Sequence, residues 1–237
     1  MLGIDLVFII ISAIVGVTCF LTTSNLYFTL IIFVIYVGYF FLYQRKKFKK
    51  YKALVRRVHS CCFFINSFVI SMSVKNSMEE AYESGLRIND SQLKLYTDQL
   101  YELSDYEKVK YLKTYFGLAI YNIFLNILEI YQDQGGNILT MSENLFKECT
   151  RTEKTLTDSE SIGVKHMLEF MILWGLSFAV LLFMKFGIGE FYDRMLNNSL
   201  FAPLILVFFL ICLLSIHFFL NSFTNLSIKE DKIKWKR

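Results

Sequence analysis

The chain has 237 residues, of which 54% are hydrophobic and 19% charged, with a net charge of +4. A soluble domain of this length carries roughly a quarter charged residues, so the composition excludes an ordinary soluble enzyme or binding module and points to a membrane protein. Only one proline, Pro203, is present; with little to interrupt helical hydrogen bonding, the chain reads as all-α.

Four apolar stretches stand out, in two pairs: Gly3 to Thr23 with Tyr27 to Tyr43, and Phe170 to Gly189 with Phe201 to Phe219. Crossing ~30 Å of hydrocarbon takes about 20 mostly apolar residues, and each stretch meets or nearly meets that length. The expected fold is a polytopic membrane protein with four transmembrane helices and a cytoplasmic bundle of about six helices. Its divisions are an N-terminal hairpin (1–43), a helical domain (44–166), a second hairpin (167–222) and a basic tail (223–237). Residues Met1 to Asp5 are not basic and the apolar run continues to Phe20. The first stretch is therefore expected to stay as an anchor rather than be cleaved as a signal peptide. Pro203 falls at the start of the last span, where a missing amide hydrogen is tolerated.

Behind the second span come Arg45, Lys46, Lys47, Lys49, Lys50, Lys52, Arg56 and Arg57 with no acid among them. The tail adds Lys229, Lys232, Lys234, Lys236 and Arg237 against Glu230 and Asp231. The opposite loops are Thr22 to Asn25, uncharged, and Glu190 to Ser199, with Glu190, Asp193 and Arg194. The positive-inside rule places both termini and the central domain in the cytoplasm, in a multi-pass protein of the cell membrane. Basic residues at a membrane exit also hold anionic lipid headgroups, at ~1 kcal/mol each. Membrane lipids are thus the expected partner of this cluster, and nucleic acid is not, since no stacking or nucleic-acid motif accompanies it.

Within the polar middle, Phe48, Tyr51, Val55, Val58, Cys62, Ile65, Val69 and Met72 follow a 3-4 spacing that makes one helical seam up to Asn76. Ser77-Met78-Glu79-Glu80 matches a capping box that opens a short helix to Ser84, which Gly85 is expected to end in the left-handed conformation. Asn89-Asp90-Ser91 starts a further short helix through Leu93, Tyr96 and Leu100. Ser104-Asp105-Tyr106-Glu107 is a second capping box, opening a helix whose seam runs Val109, Leu112, Phe116, Ala119, Ile123, Ile127 and Ile130. Gly135-Gly136 stops that helix, and Asn137 caps a short one through Ile138, Leu139, Leu145 and Phe146.

The five cysteines, Cys19, Cys61, Cys62, Cys149 and Cys212, lack metal or redox spacing and read as core. Of His59, His166 and His217, only His217 lies in a span; without a carboxylate nearby in sequence it reads as neutral packing rather than a proton site. Lys185 and Glu190 can reach the interface or pair across one turn. No Walker A, GxSxG or HExxH sequence occurs, so no catalytic residue, cofactor or metal site is expected. Glu79, Glu80, Glu83, Glu129 and Asp133 read as solvated helix faces and caps.

The order of basic membrane exit, long helix, the turn Ser77-Met78-Glu79-Glu80-Ala81 and a late Gln132-Asp133-Gln134-Gly135-Gly136-Asn137-Ile138 resembles the type II secretion system F domain. Two spans, one such domain and two more spans is the layout of the Tad-type pilus assembly platform proteins, the TadB/TadC-like group. The resemblance covers about Tyr43 to the C-terminus; it departs in placing Gln134 before the glycines, with the acid one position earlier as Asp133. It implies a protein without covalent chemistry that couples a hexameric secretion ATPase to pilin-like subunits. A paralogous platform subunit, or further copies of this chain, would complete the assembly. Tyr43 to Met72 would act as a lever, and Ser77, Glu79, Glu80, Asp133, Gly135, Gly136 and Asn137 would form the motor-facing turns. The residues alone fit two other classes: a membrane-embedded signalling or scaffold protein, and, with few polar groups at membrane depth, a small transporter or channel.

Overall fold

Hydroxyls inside an apolar helix must find partners within it, and the first helix shows how. The computed structural model describes residues 2–88, 90–100, 102–198 and 200–224. In α1 (Leu2–Thr23), Ser12 donates to the Phe8 carbonyl at 2.9 Å, Thr22 to that of Thr18 at 2.9 Å and Thr23 to that of Cys19 at 2.8 Å. Each hydroxyl is satisfied one turn back, as an apolar environment demands. Met1, Asn89, Ser199 and the charged residues of the expected tail, which all fall in 225–237, lie outside the described residues.

The turn after α1 uses Ser24 at φ 52° and Asn25, whose side chain accepts from the Tyr27 amide. From there α2 (Leu26–Tyr39), a π-helical turn (Phe40–Gln44) and α3 (Arg45–Lys75) follow without a break. The expected second span and the expected seam helix are thus one helical run of 50 residues. In the π turn the Arg45 amide reaches the Phe40 carbonyl, five residues back, a widening that inserts an extra residue and buries both Phe40 and Gln44.

Among the described residues the chain is all-α and forms two compact units, residues 2–51 with 160–224, and Lys52–Ser159.

The first unit holds α1, α2, the later part of α9 (Glu143–Gly187), α10 (Gly189–Leu196) and α11 (Phe201–Thr224). Its core includes Val15, Cys19, Ile32, Tyr36, Phe40, Phe209 and Tyr192. Three helical runs are long and apolar enough to cross a membrane: Leu26–Lys75, Glu143–Gly187 and Pro203–Asn221. The described apolar part of α1, Phe8–Thr23, is shorter than these. Pro203 sits in the first turn of α11, where the amides have no helical acceptor in any case. The expected loop from Glu190 is a helix, α10, whose Tyr192 is buried and donates to the Thr22 carbonyl at 2.9 Å. Lys185 does not pair with Glu190; its ammonium donates to Ser24 Oγ at 2.8 Å and lies 5.6 Å from the Tyr192 ring centre.

The second unit takes the remainder of α3 and adds α4 (Met78–Leu86), α5 (Ser91–Thr97), a 3-10 turn (Asp98–Leu100), α6 (Asp105–Phe116), α7 (Ala119–Gln134), α8 (Ile138–Met141) and the start of α9. Its core is aromatic. Phe64 is fully buried among Phe68, Tyr82, Phe116, Tyr121 and Phe124, with ring centres 5.8 to 6.3 Å away. Burying one such ring is worth about 1.5–3 kcal/mol.

Three expectations fail here, each for a local reason. Gly85 does not end α4: it lies inside the helix, where a Cβ would stand 2.5 Å from the Phe64 ring, so it is glycine to let that ring approach. The long second seam is two helices. Gly117, at φ 60° and ψ 29°, ends α6, and Leu118 is extended before α7 begins. The break resets the helical phase, so α7 buries Ile120, Tyr121, Phe124 and Leu128, while Ile123 and Ile130 of the expected seam are exposed. Tyr121 ties the two helices by donating to the Val109 carbonyl at 2.7 Å. Lastly, Leu145 and Phe146 belong to the 45-residue α9, not to the short helix after Asn137.

The seam on α3 is also wider than its spacing suggests. Tyr51, Val58, Cys62, Ile65, Val69 and Met72 are buried, and so are Ser60, Cys61, Phe64 and Phe68. All five cysteines are buried thiols.

Candidate functional site: two turns joined in the second unit

Two sharp turns carry the expected motor-facing residues. In the first, α3 ends at Lys75 and Asn76 takes φ 50°, a left-handed conformation that asparagine tolerates better than most residues. Ser77 is extended and its hydroxyl accepts from the Glu80 amide at 3.4 Å, starting α4. Only this half of the expected capping box forms, because the Glu80 carboxylate pairs with Lys75 instead. Both partners are about half exposed, so the pair is worth little. Ser104 and Glu107 make the complete reciprocal box at the start of α6.

The second turn closes α7. Gly135 sits at φ 71°, ψ −159° and Gly136 at φ 109°, regions open only to glycine without strain. Asn137 then accepts from the amides of Leu139 at 2.9 Å and Thr140 at 3.3 Å, capping α8. Asp133, Gly135, Gly136 and Asn137 are exposed, as are Glu79, Glu80, Glu83 and Glu129, while Ser77 is half-buried.

What joins the turns is a residue outside the expected set. Tyr131, one helical turn before Gly135, donates its hydroxyl to Asn76 Oδ1 at 2.8 Å. The two segments, 55 residues apart in sequence, therefore meet, with carboxylates on both. Nothing in the sequence marked Tyr131 or Asn76 as partners, because the pairing depends on α7 lying beside α3.

The basic cluster is not part of this arrangement. Within the second unit, Lys52, Arg56 and Arg57 precede Asn76 on α3 by some 19 or more residues, about 30 Å along a helix. Arg45, Lys46, Lys47, Lys49 and Lys50 belong to the first unit. There the Arg45 guanidinium lies 5.7 Å from the Phe41 ring centre, and the Lys47 ammonium lies 5.2 Å from that of Tyr43 and donates to Asn221. Lys46, Lys49 and Lys50 are exposed.

Two polar clusters, around the buried Gln44 and the buried Asp90, go beyond the sequence reading. In the first unit His217 is not merely packed: its Nδ1 lies 2.8 Å from the Tyr39 hydroxyl, which also accepts from the Gln44 amide nitrogen. Gln44 is fully buried and its Oε1 has no hydrogen-bond partner. In the second unit Asp90, 3% exposed, accepts from Ser60 Oγ at 2.7 Å, Tyr115 Oη at 3.2 Å and the amides of Gln92 and Leu93. Burial alone would raise its pKa, but these four hydrogen bonds together hold it below the ordinary carboxylate value. Burial first, and then the Asp90 charge, push the Tyr115 phenol up to about 12. Aspartate was legible here only as a helix cap, a role it also fills for α5.

Among the described residues no three His, Cys, Asp or Glu side chains cluster as metal ligands. The exposed turns offer charge and hydrogen bonding to a macromolecule. Comparison of the chain with family models, with curated proteins and with solved structures finds no match.

Proposed function

We propose that the chain is a platform protein of the cytoplasmic membrane, of the Tad-pilus or type II secretion kind, coupling a hexameric secretion ATPase to the assembly of pilin-like subunits. The observation that carries this reading is the Tyr131–Asn76 hydrogen bond. It brings together two of the segments on which the family resemblance rests, each of which carries exposed carboxylates. Of these carboxylates Glu79, Glu129 and Asp133 suit basic residues of a motor, and Glu80 would exchange its Lys75 partner for one.

In this reading α1 is a fourth span beside the three longer runs, and the positive-inside rule puts both termini and the second unit in the cytoplasm. The helical run Leu26–Lys75 continues unbroken from an apolar stretch into the second unit. A helix without a flexible joint passes on displacement that a loop would absorb. The assembly partners are a paralogous platform subunit or further copies of the chain.

The test is co-purification of the full chain in detergent with a co-expressed hexameric secretion ATPase. The wild type retains the ATPase, and the charge-reversed Glu79→Lys, Glu80→Lys, Asp133→Lys variant releases it while inserting normally in the membrane. A Gly/Ser segment inserted near Gln44 abolishes pilus assembly without affecting insertion. Retention unchanged by the charge reversal, or ion flux from the protein alone in liposomes, overturns the proposal.

A further inference from the structure

The described residues from Phe186 to Leu200 carry more apolar surface than a connecting loop in water should show. Phe186 is 70% exposed, Ile188 48%, Phe191 58% and Leu200 75%. Exposed apolar surface of this density marks a place meant to be covered.

The sequence of α10 sorts into three rows at helical spacing. Tyr192 and Leu196, four apart, face the core of the first unit. Glu190, Asp193 and Arg194, three and four apart, form an exposed polar row. Phe191 and Met195, again four apart, form a third row that the protein leaves exposed or only half covered.

The position of α10 along the chain limits what can cover that third row. One candidate span ends at Gly187 and another begins at Pro203, so α10 is tied at both ends to helices that enter hydrocarbon. The polar level is marked independently by Lys185, whose ammonium turns away from the apolar stretch to Ser24 in the turn between α1 and α2. Tyr192, bonded to Thr22 of the same region, holds α10 at that level.

We propose that α10 is an interfacial helix, lying at the boundary between headgroups and acyl chains of the bilayer. Phe191 is directed to hydrocarbon, while Glu190, Asp193 and Arg194 face water. The surface of Phe186, Ile188 and Leu200 extends the lipid-facing side of the adjoining spans, so the occupant is phospholipid and not a second protein. This rests on the membrane-spanning helices alone and stands or falls apart from the motor reading.

The experiment places single tryptophans in the full chain with Trp174→Phe and Trp235→Phe, reconstituted in phosphatidylcholine and phosphatidylglycerol vesicles. Phe191→Trp and Leu200→Trp should emit at blue-shifted wavelengths. Acyl chains brominated near the headgroup should quench them severalfold more than chains brominated near the methyl end, with little quenching by acrylamide. Asp193→Trp should behave in the opposite way, red-shifted and open to acrylamide. Acrylamide quenching of Phe191→Trp equal to that of Asp193→Trp puts the helix in water and overturns the proposal. Quenching by neither reagent means protein covers the row and does the same. Should Phe191→Trp fail to fold, Leu200→Trp decides on the same outcomes.

Discussion

Tyr131 and Asn76, 55 residues apart, are joined by one hydrogen bond of 2.8 Å that closes the end of α7 onto the end of α3. Asn76 is doubly constrained, since its backbone is left-handed while its side chain accepts the bond. Tyr131→Phe removes the bond and keeps the ring. The expected loss is about 0.5 kcal/mol, at the low end for a hydrogen bond because the site is exposed. Asn76→Ala adds about 1 kcal/mol of left-handed strain. The cycle of both changes, measured as thermal midpoints of the detergent-solubilised chain, should show coupling between them; strictly additive losses would mean other contacts hold the turns together.

Glycines 85 and 117 fail in different ways when given a side chain. A Cβ at Gly85 would stand 2.5 and 2.7 Å from two atoms of the buried Phe64 ring, whereas one at Gly117 meets nothing within 4 Å. Gly85→Ala therefore overpacks the core, for about 1–3 kcal/mol. Gly117→Ala strains a backbone at φ 60°, for about 1–2 kcal/mol. Phe64→Leu should relieve the first change and leave the second untouched. Thermal unfolding of the four variants distinguishes clash from strain, and equal rescue of both would contradict the assignment.

The same glycines show which parts of the fold were legible. Caps are local, so Ser77, Asp90, Ser104 and Asn137 could be named from a few neighbouring residues. Apolar stretches are local too, and three of them appear as helical runs long enough to span. Gly85 was misjudged, and the break at Gly117 was passed over, because a glycine's role depends on its φ and on what packs over it, neither of which spacing encodes. Missing the break at Gly117 put Ile123 and Ile130 on the buried side of α7, one helical phase away from Tyr121 and Phe124. For the candidate site, both turns were legible. Their meeting was not, since it depends on the packing of α7 beside α3.

Asp90 gives a pH dependence with a definite sign. Its folded pKa lies below the ordinary value, so the folded state binds fewer protons than the unfolded chain. The carboxylate's contribution is thus fully present above the unfolded value of about 3.9 and is lost as pH falls through the lower folded value. Asp90→Asn turns one acceptor oxygen into a donor facing Ser60 and Tyr115. It should cost about 1–3 kcal/mol near neutral pH. Melting curves of wild type and variant should keep their separation down to about pH 4 and converge as pH falls further, through the lower folded value. A gap that persists unchanged well below about pH 4 would show that the ionised carboxylate is not what stabilises the second unit.

Tyr39 stands between two polar groups in the first unit, and removing its hydroxyl should hurt more than removing either neighbour. Tyr39→Phe deprives the Gln44 amide nitrogen of its acceptor and His217 Nδ1 of its partner at once. His217→Phe leaves Tyr39 and Gln44 bonded to each other. Hydrogen bonds between membrane helices contribute on average ~0.6 kcal/mol and up to ~1.7, so His217→Phe should fall within that range and Tyr39→Phe above it. Gln44 is fully buried with one oxygen already unsatisfied. Once Tyr39 is phenylalanine, Gln44→Leu should therefore restore stability, because it withdraws a polar group that has lost its last side-chain partner. Unfolding of the single and double variants in mixed detergent measures this. If Gln44→Leu destabilises the Tyr39→Phe background further, the amide holds the π turn through its backbone neighbours and not through the tyrosine.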